Sequence, residues 1–134
     1  MKINVTDGSI TLERGAIQAG TNRSRFLDTP LGREAKNDFV NESWRHYRIE
    51  PEPGIVGSIH FNGERMDRVF LLMTIPSDDS NEWTEQHEHE RKARHDAWLH
   101  AELGEPPFEY TWGKVVSEFD DRACISEIIV TYAD

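Results

Sequence analysis

Seven residues, Val69-Phe70-Leu71-Leu72-Met73-Thr74-Ile75, run almost without a polar break. A strand with one solvated face alternates apolar and polar side chains. A continuous run of this length predicts a strand covered on both faces, and therefore one at the centre of its sheet. Its partner is written just upstream. Ile55-Val56-Gly57-Ser58-Ile59-His60-Phe61 meets Asn62-Gly63, the dipeptide favoured in two-residue type I′ hairpin turns because both positions tolerate φ > 0.

The remaining elements are arranged around this pair. Ile3 and Val5, Ile10 and Leu12, and Ala16 and Ile17 are short apolar runs separated by Asp7-Gly8 and Arg14-Gly15, the pattern of a small β-meander. Thr21-Asn22 predicts the cap of a short helix carrying Phe26 and Leu27, which Pro30 or Gly32 ends or interrupts. Residues 38–49 fit a helical turn or a strand, with the aromatic content of 44–49 favouring strand. Residues 82–103 lack Pro and Gly and predict the one long helix. Asp79-x-x-Glu82 reads as its start and Gly104 before Pro106-Pro107 as its end. Glu88/Lys92 and Glu90/Arg94 have the i,i+4 spacing of ion pairs on an exposed helix face. A terminal hairpin runs from Tyr110 to Phe119 and from Ile125 to Tyr132. The fold class is α+β, in one domain over 1–134: a mostly antiparallel sheet with one long helix (about 82–103) packed on a face and a C-terminal β-hairpin.

Charge narrows the partners. The 134 residues hold 25 Asp and Glu against 15 Lys and Arg, a net charge of −10, and residues 51–134 carry 18 of the acidic side chains and 7 of the basic ones. Such a chain repels nucleic acid and anionic lipid and attracts basic proteins. The N-terminus has no apolar signal-like stretch, and no segment has the length of a membrane span, so the expected location is cytoplasmic. Cys124 is the only cysteine, which excludes an internal disulfide and a four-cysteine zinc site.

Catalytic patterns are missing. A zincin needs His-Glu-x-x-His, but Arg91 stands four positions after His87 and Ala93 four after His89. The Glu85/His89 and Asp96/His100 pairs lie about three helical turns apart and cannot share one ion. There is no nucleophile elbow, no phosphate-binding loop and no dinucleotide-binding turn. Asp78-Asp79 and Asp120-Asp121 read as solvated loop carboxylates. No cofactor is implied, and the chain reads as a non-enzyme.

Binding remains. Trp44, Trp98 and Trp112 lie in structured segments and are expected in the core, whereas Trp83 is surrounded by polar residues. An exposed Trp83 near Glu82, Glu85 and Glu88 is a candidate hot spot for a basic protein. Glu109, Glu118, Asp120 and Asp121 are further candidate contacts, chosen for charge and expected exposure. Four segments also look familiar together: Phe26-Leu27-Asp28-Thr29-Pro30-Leu31-Gly32, Glu90 to Leu99, Leu103 to Tyr110, and Trp112 to Asp120 with Ile128 to Tyr132. They resemble small bacterial cytoplasmic proteins of the polymorphic or contact-dependent toxin immunity type. The resemblance implies a protein that binds and neutralises a cognate toxin, a basic nuclease being the natural match to this charge. It carries no functional residue over. Two other readings stand beside it. One is an accessory protein acting through another partner or a homodimer, formed through an edge strand of the terminal hairpin. The other is an enzyme or ligand binder assembled from distant groups such as Arg45, His60, His95 and Asp96.

Overall fold

The computed structural model describes residues 1–80 and 82–133. The chain is an α+β fold built on two antiparallel sheets. β1 (Lys2–Ile3), β2 (Ile10–Leu12) and β3 (Gly15–Ile17) form the small sheet, as the meander predicts. The large sheet contains β4 (Lys36–Asn41), β5 (Trp44–Glu52), β6 (Ile55–Asn62), β7 (Arg65–Met73), β8 (Phe108–Tyr110), β9 (Gly113–Asp120) and β10 (Ile125–Tyr132), in the order β4-β5-β6-β7-β10-β9-β8. Between the sheets in sequence lie α1 (Arg23–Leu27) and α2 (Pro30–Glu34). A single 3-10 turn (Pro76–Asp79) and then α3 (Glu85–Leu103) follow β7.

Local chemistry explains most of these boundaries. The Asn22 side chain accepts the Arg25 N–H at 2.8 Å and caps α1. Pro30 does not end that helix but opens the next one. At the first position of a helix its missing N–H costs nothing, and Thr29 Oγ1 accepts the Gly32 N–H at 3.1 Å. Residues 38–49 are strand throughout apart from the β4–β5 turn, so aromatic content decided correctly. The β6–β7 turn is shifted by one residue from expectation. Asn62 still pairs with Arg65, so Gly63 and Glu64 form the loop, with Gly63 at φ +62. Glycine at the first central position is the glycine-led alternative to an Asn-Gly turn. The freed Glu64 carboxylate accepts from the Ser24 N–H and hydroxyl, tying the turn to α1.

β7 is central, as its composition predicts, but the chain covers only one of its faces. Val69, Leu71 and Met73 are buried, while Phe70 and Leu72 are half-buried on the other side. The covered face includes Tyr47, Ile59, Phe61, Ile128 and Val130, and packs in one core with Ile3, Ile10 and Ile17 of the small sheet, Phe26 and Leu31 of α1 and α2, and Leu99 of α3. The long helix thus shares its face with the small sheet and the two short helices. It also starts later than predicted: Asp79 ends the 3-10 turn, and Thr84 is the residue before α3. Among the described residues no helix is long and apolar enough to cross a membrane.

Candidate interaction surface

α3 docks through an unusual stripe. Its buried residues, Glu88, Arg91, His95 and Leu99, fall at helical spacing, and three of the four are polar. Arg91 uses all five of its N–H donors. It binds Asp78 through both terminal nitrogens at 2.9 and 2.6 Å, Glu88 at 3.0 and 3.1 Å, and the Met73 carbonyl at 2.7 Å. Glu88 also accepts the Ser126 N–H at 3.0 Å, and its own carbonyl accepts the Ser126 hydroxyl at 2.7 Å. Burial pushes the Glu88 carboxyl up, but Arg91, the Ser126 N–H and the Trp83 indole together outweigh it and hold the group below its ordinary value. Asp78 is held down chiefly by Arg91, and Arg91 is raised in turn, first by Asp78.

Glu88 is therefore no surface contact: it is 3% exposed and does not meet Lys92, which pairs with Asp96 at 2.9 Å. The expectation of a solvated Glu88 fails because the helix turns this carboxylate onto β10, where Ser126 and Arg91 satisfy it. Its role is to position Trp83. That indole is 54% exposed, and its N–H donates to Glu88 Oε2 at 3.0 Å, fixing a large aromatic plate at the surface. Glu82 and Glu85 are exposed beside it, with Glu85 reaching His89 at 3.7 Å. His89 packs on Phe119 of β9 with ring centroids 4.8 Å apart. This contact brings the start of α3 to the β9–β10 turn, where Asp120 and Asp121 are exposed. Trp83, Glu82, Glu85, Asp120 and Asp121 thus gather at one end of the molecule, although the sequence separates them by more than thirty residues.

Glu109 and Glu118 are exposed on the uncovered face of the large sheet. On that face Glu118 lies directly opposite Glu127, which sequence reading did not single out. Burial, followed by the charges of Asp120 and Glu118, pushes the Glu127 carboxyl up. The same face carries a ladder of rings that was equally unforeseen. Phe39, His46, His60 and Phe70 succeed one another across β4 to β7 with centroid separations of 4.3, 3.4 and 4.5 Å. Burial lowers the His46 pKa, and burial with the neighbouring His46 and Arg68 lowers that of His60 to about 4. The out-facing alternation of Val56, Ser58 and His60 in β6, beside the apolar Phe70 and Leu72 of β7, was the available signal.

The groups considered for an assembled ligand site do not converge. His95 is buried under α3, His60 lies on the open face, Arg45 donates to the Glu42 and Trp44 carbonyls, and Asp96 binds Lys92. Among the described residues no three His, Cys, Asp or Glu side chains are grouped so as to hold a metal. Trp98 and Trp112 are half-buried against the core, with the Trp112 indole donating to the Val5 carbonyl at 2.9 Å, whereas half-buried Trp44 lies outside that core at the start of β5. In the terminal hairpin β10 is interior, and β9 is paired with β8 only over 113–115, leaving its outer edge open from Val116 to Asp120.

No protein-family profile matches the chain, and no curated protein does. The fold, however, is found in a solved structure described as "Rhs1-CT in complex with cognate immunity protein RhsI1". The superposition has a TM-score of 0.61 and covers 98% of this chain and 86% of the other, at 14% identity. At that identity the likeness is one of fold.

Proposed function

We propose that this chain is an immunity-type protein that binds a toxin domain and neutralises it by occlusion, without chemistry of its own. The observation that carries the reading is the fold shared, over nearly the full length, with a chain from the complex of Rhs1-CT with its cognate immunity protein RhsI1. Net charge supports the kind of partner: at −10, this protein is matched by a basic domain such as a nuclease, whose phosphate-binding surface must be positive. Its place of action is the bacterial cytoplasm, where such a target would be intercepted. Trp83, with its indole fixed by Glu88, provides an aromatic anchor already ordered before binding, and Glu82, Glu85, Asp120 and Asp121 provide the acidic rim around it.

The test is co-expression with the protein encoded immediately upstream of this one, where an immunity partner's toxin would stand, scored by growth and by isolation of the complex. The reading expects rescue by the wild-type chain, a 1:1 complex, and an affinity about tenfold lower or worse for Trp83→Ala. Growth arrest undiminished by the wild-type chain, with no complex recovered, would refute it.

A further inference from the structure

We infer that the uncovered face of the large sheet is the principal contact surface, and that it receives a protein surface with an apolar ridge flanked at one end by lysine or arginine. The inference rests on the immunity reading and extends the contact from the Trp83 anchor, past Asp120 at the edge of the sheet, onto a larger surface. An antiparallel sheet with one solvated face ordinarily shows polar side chains on that side. Here the out-facing positions of the central strands include Val56 on β6, Phe70 and Leu72 on β7, and the 8% exposed Ile129 on β10, alongside the polar Ser58, Arg68, Glu127 and Thr131. The exposed Phe39 (42%) and Val116 (36%) extend this strip toward both sides of the sheet. A contiguous apolar strip of this kind is uncommon on a protein that works alone. The stacked imidazoles of His46 and His60 belong to the same strip and are held neutral at ordinary pH by burial, so they present ring faces instead of charge.

Charge selects the occupant. At the β9–β10 side the strip runs into Glu118 and Glu127, directly opposed across the two strands, with Asp120 one step further along β9. Like charges placed opposite each other destabilise a sheet. A partner that sets cations against them removes that cost and gains on-rate as well. A second copy of this chain would bring another net −10 to the contact, so the basic domain is favoured over self-association.

The experiment uses the full chain and the purified C-terminal domain of the protein encoded immediately upstream of it. Phe39→Lys and Val116→Lys place charges on the strip at residues exposed enough to leave the fold intact, which equal melting temperatures verify. Thr11→Lys, exposed on β2 of the small sheet, is the control. The expected result is at least tenfold weaker binding for each strip variant, mainly through faster dissociation, with the control unchanged. A wild-type complex indifferent to both strip substitutions overturns this inference and leaves the immunity reading intact. No wild-type complex at all overturns both. Sedimentation showing a wild-type dimer that the strip substitutions split, in the absence of toxin, assigns the face to a second copy and also overturns it.

Discussion

His95 is fully buried, and its Nε2 accepts the Met73 N–H at 3.0 Å. That bond fixes the proton on Nδ1, which meets no partner among the described residues. Protonating Nε2 would break the bond to the strand and place a second cation beside Arg91. Burial, and then Arg91, accordingly lower the pKa to about 4. Between the ordinary value near 6.5 and about 4 the unfolded chain binds a proton that the folded chain refuses. The stabilisation is therefore complete above 6.5 and is lost as pH falls toward 4, by an amount on the order of 3 kcal/mol. Asp78 and Glu88 are lowered carboxylates, so their contribution is lost in a separate and more acidic window, below the ordinary carboxylate range. Urea unfolding at pH 7 and at pH 5 tests the histidine directly. Wild type should lose more stability between these values than His95→Gln, which keeps an acceptor without a titration. Equal losses would mean that His95 does not set the acid limit. Nothing in the sequence distinguishes His95 from half-buried His87 or exposed His89, because burial here comes from the partner strand.

At the scale of elements, α3 shows what sequence patterns carry and what they omit. Its length and its end at Gly104 follow from the absence of breakers and the placement of a strong one. The β6 and β7 strands and the β9–β10 hairpin are equally legible, because apolar periodicity and turn residues report them locally. The inward stripe of α3 is not, since Glu88, Arg91 and His95 look like a solvated face until Asp78, Met73 and Ser126 arrive from three other elements. Such a helix has little apolar surface with which to dock, so its position depends on Arg91. Arg91→Met removes five hydrogen bonds and leaves the 3% exposed Glu88 without its cation. Breaking a buried pair in this way costs about 3–5 kcal/mol, measurable as a lowered urea midpoint with helical content otherwise retained. The same substitution should loosen Trp83, visible as a red-shifted and more quenchable indole emission, because Glu88 would no longer be held in place to receive its N–H. A loss below about 1 kcal/mol would show that apolar contacts around Leu99 hold the helix alone.

For the whole molecule, charge and shape divide the work of association. The net charge was legible from composition, and so was the choice of Glu109, Glu118, Asp120 and Asp121 as surface groups; the structure leaves all four exposed. What composition could not give is their relation to the ring ladder, because adjacency of β9 to β10, and of β10 to β7, is a fact of topology. Carboxylates at the rim act over roughly a Debye length, about 10 Å at 0.1 M salt and 3 Å at 1 M, and so chiefly affect encounter. The apolar strip acts only on contact and so chiefly affects dissociation. On the proposed immunity reading, the double variant Glu118→Lys, Asp120→Lys should therefore slow association with a basic toxin domain by about tenfold at low salt and leave dissociation nearly unchanged. Raising the salt to 1 M should bring its association rate to that of wild type, while Val116→Lys should keep its faster dissociation at every salt concentration. Stopped-flow association and chase-driven dissociation at several ionic strengths separate the two effects. If the double variant associated as fast as wild type at low salt, the acidic balance of this chain would serve solubility, and recognition would rest on the sheet face alone.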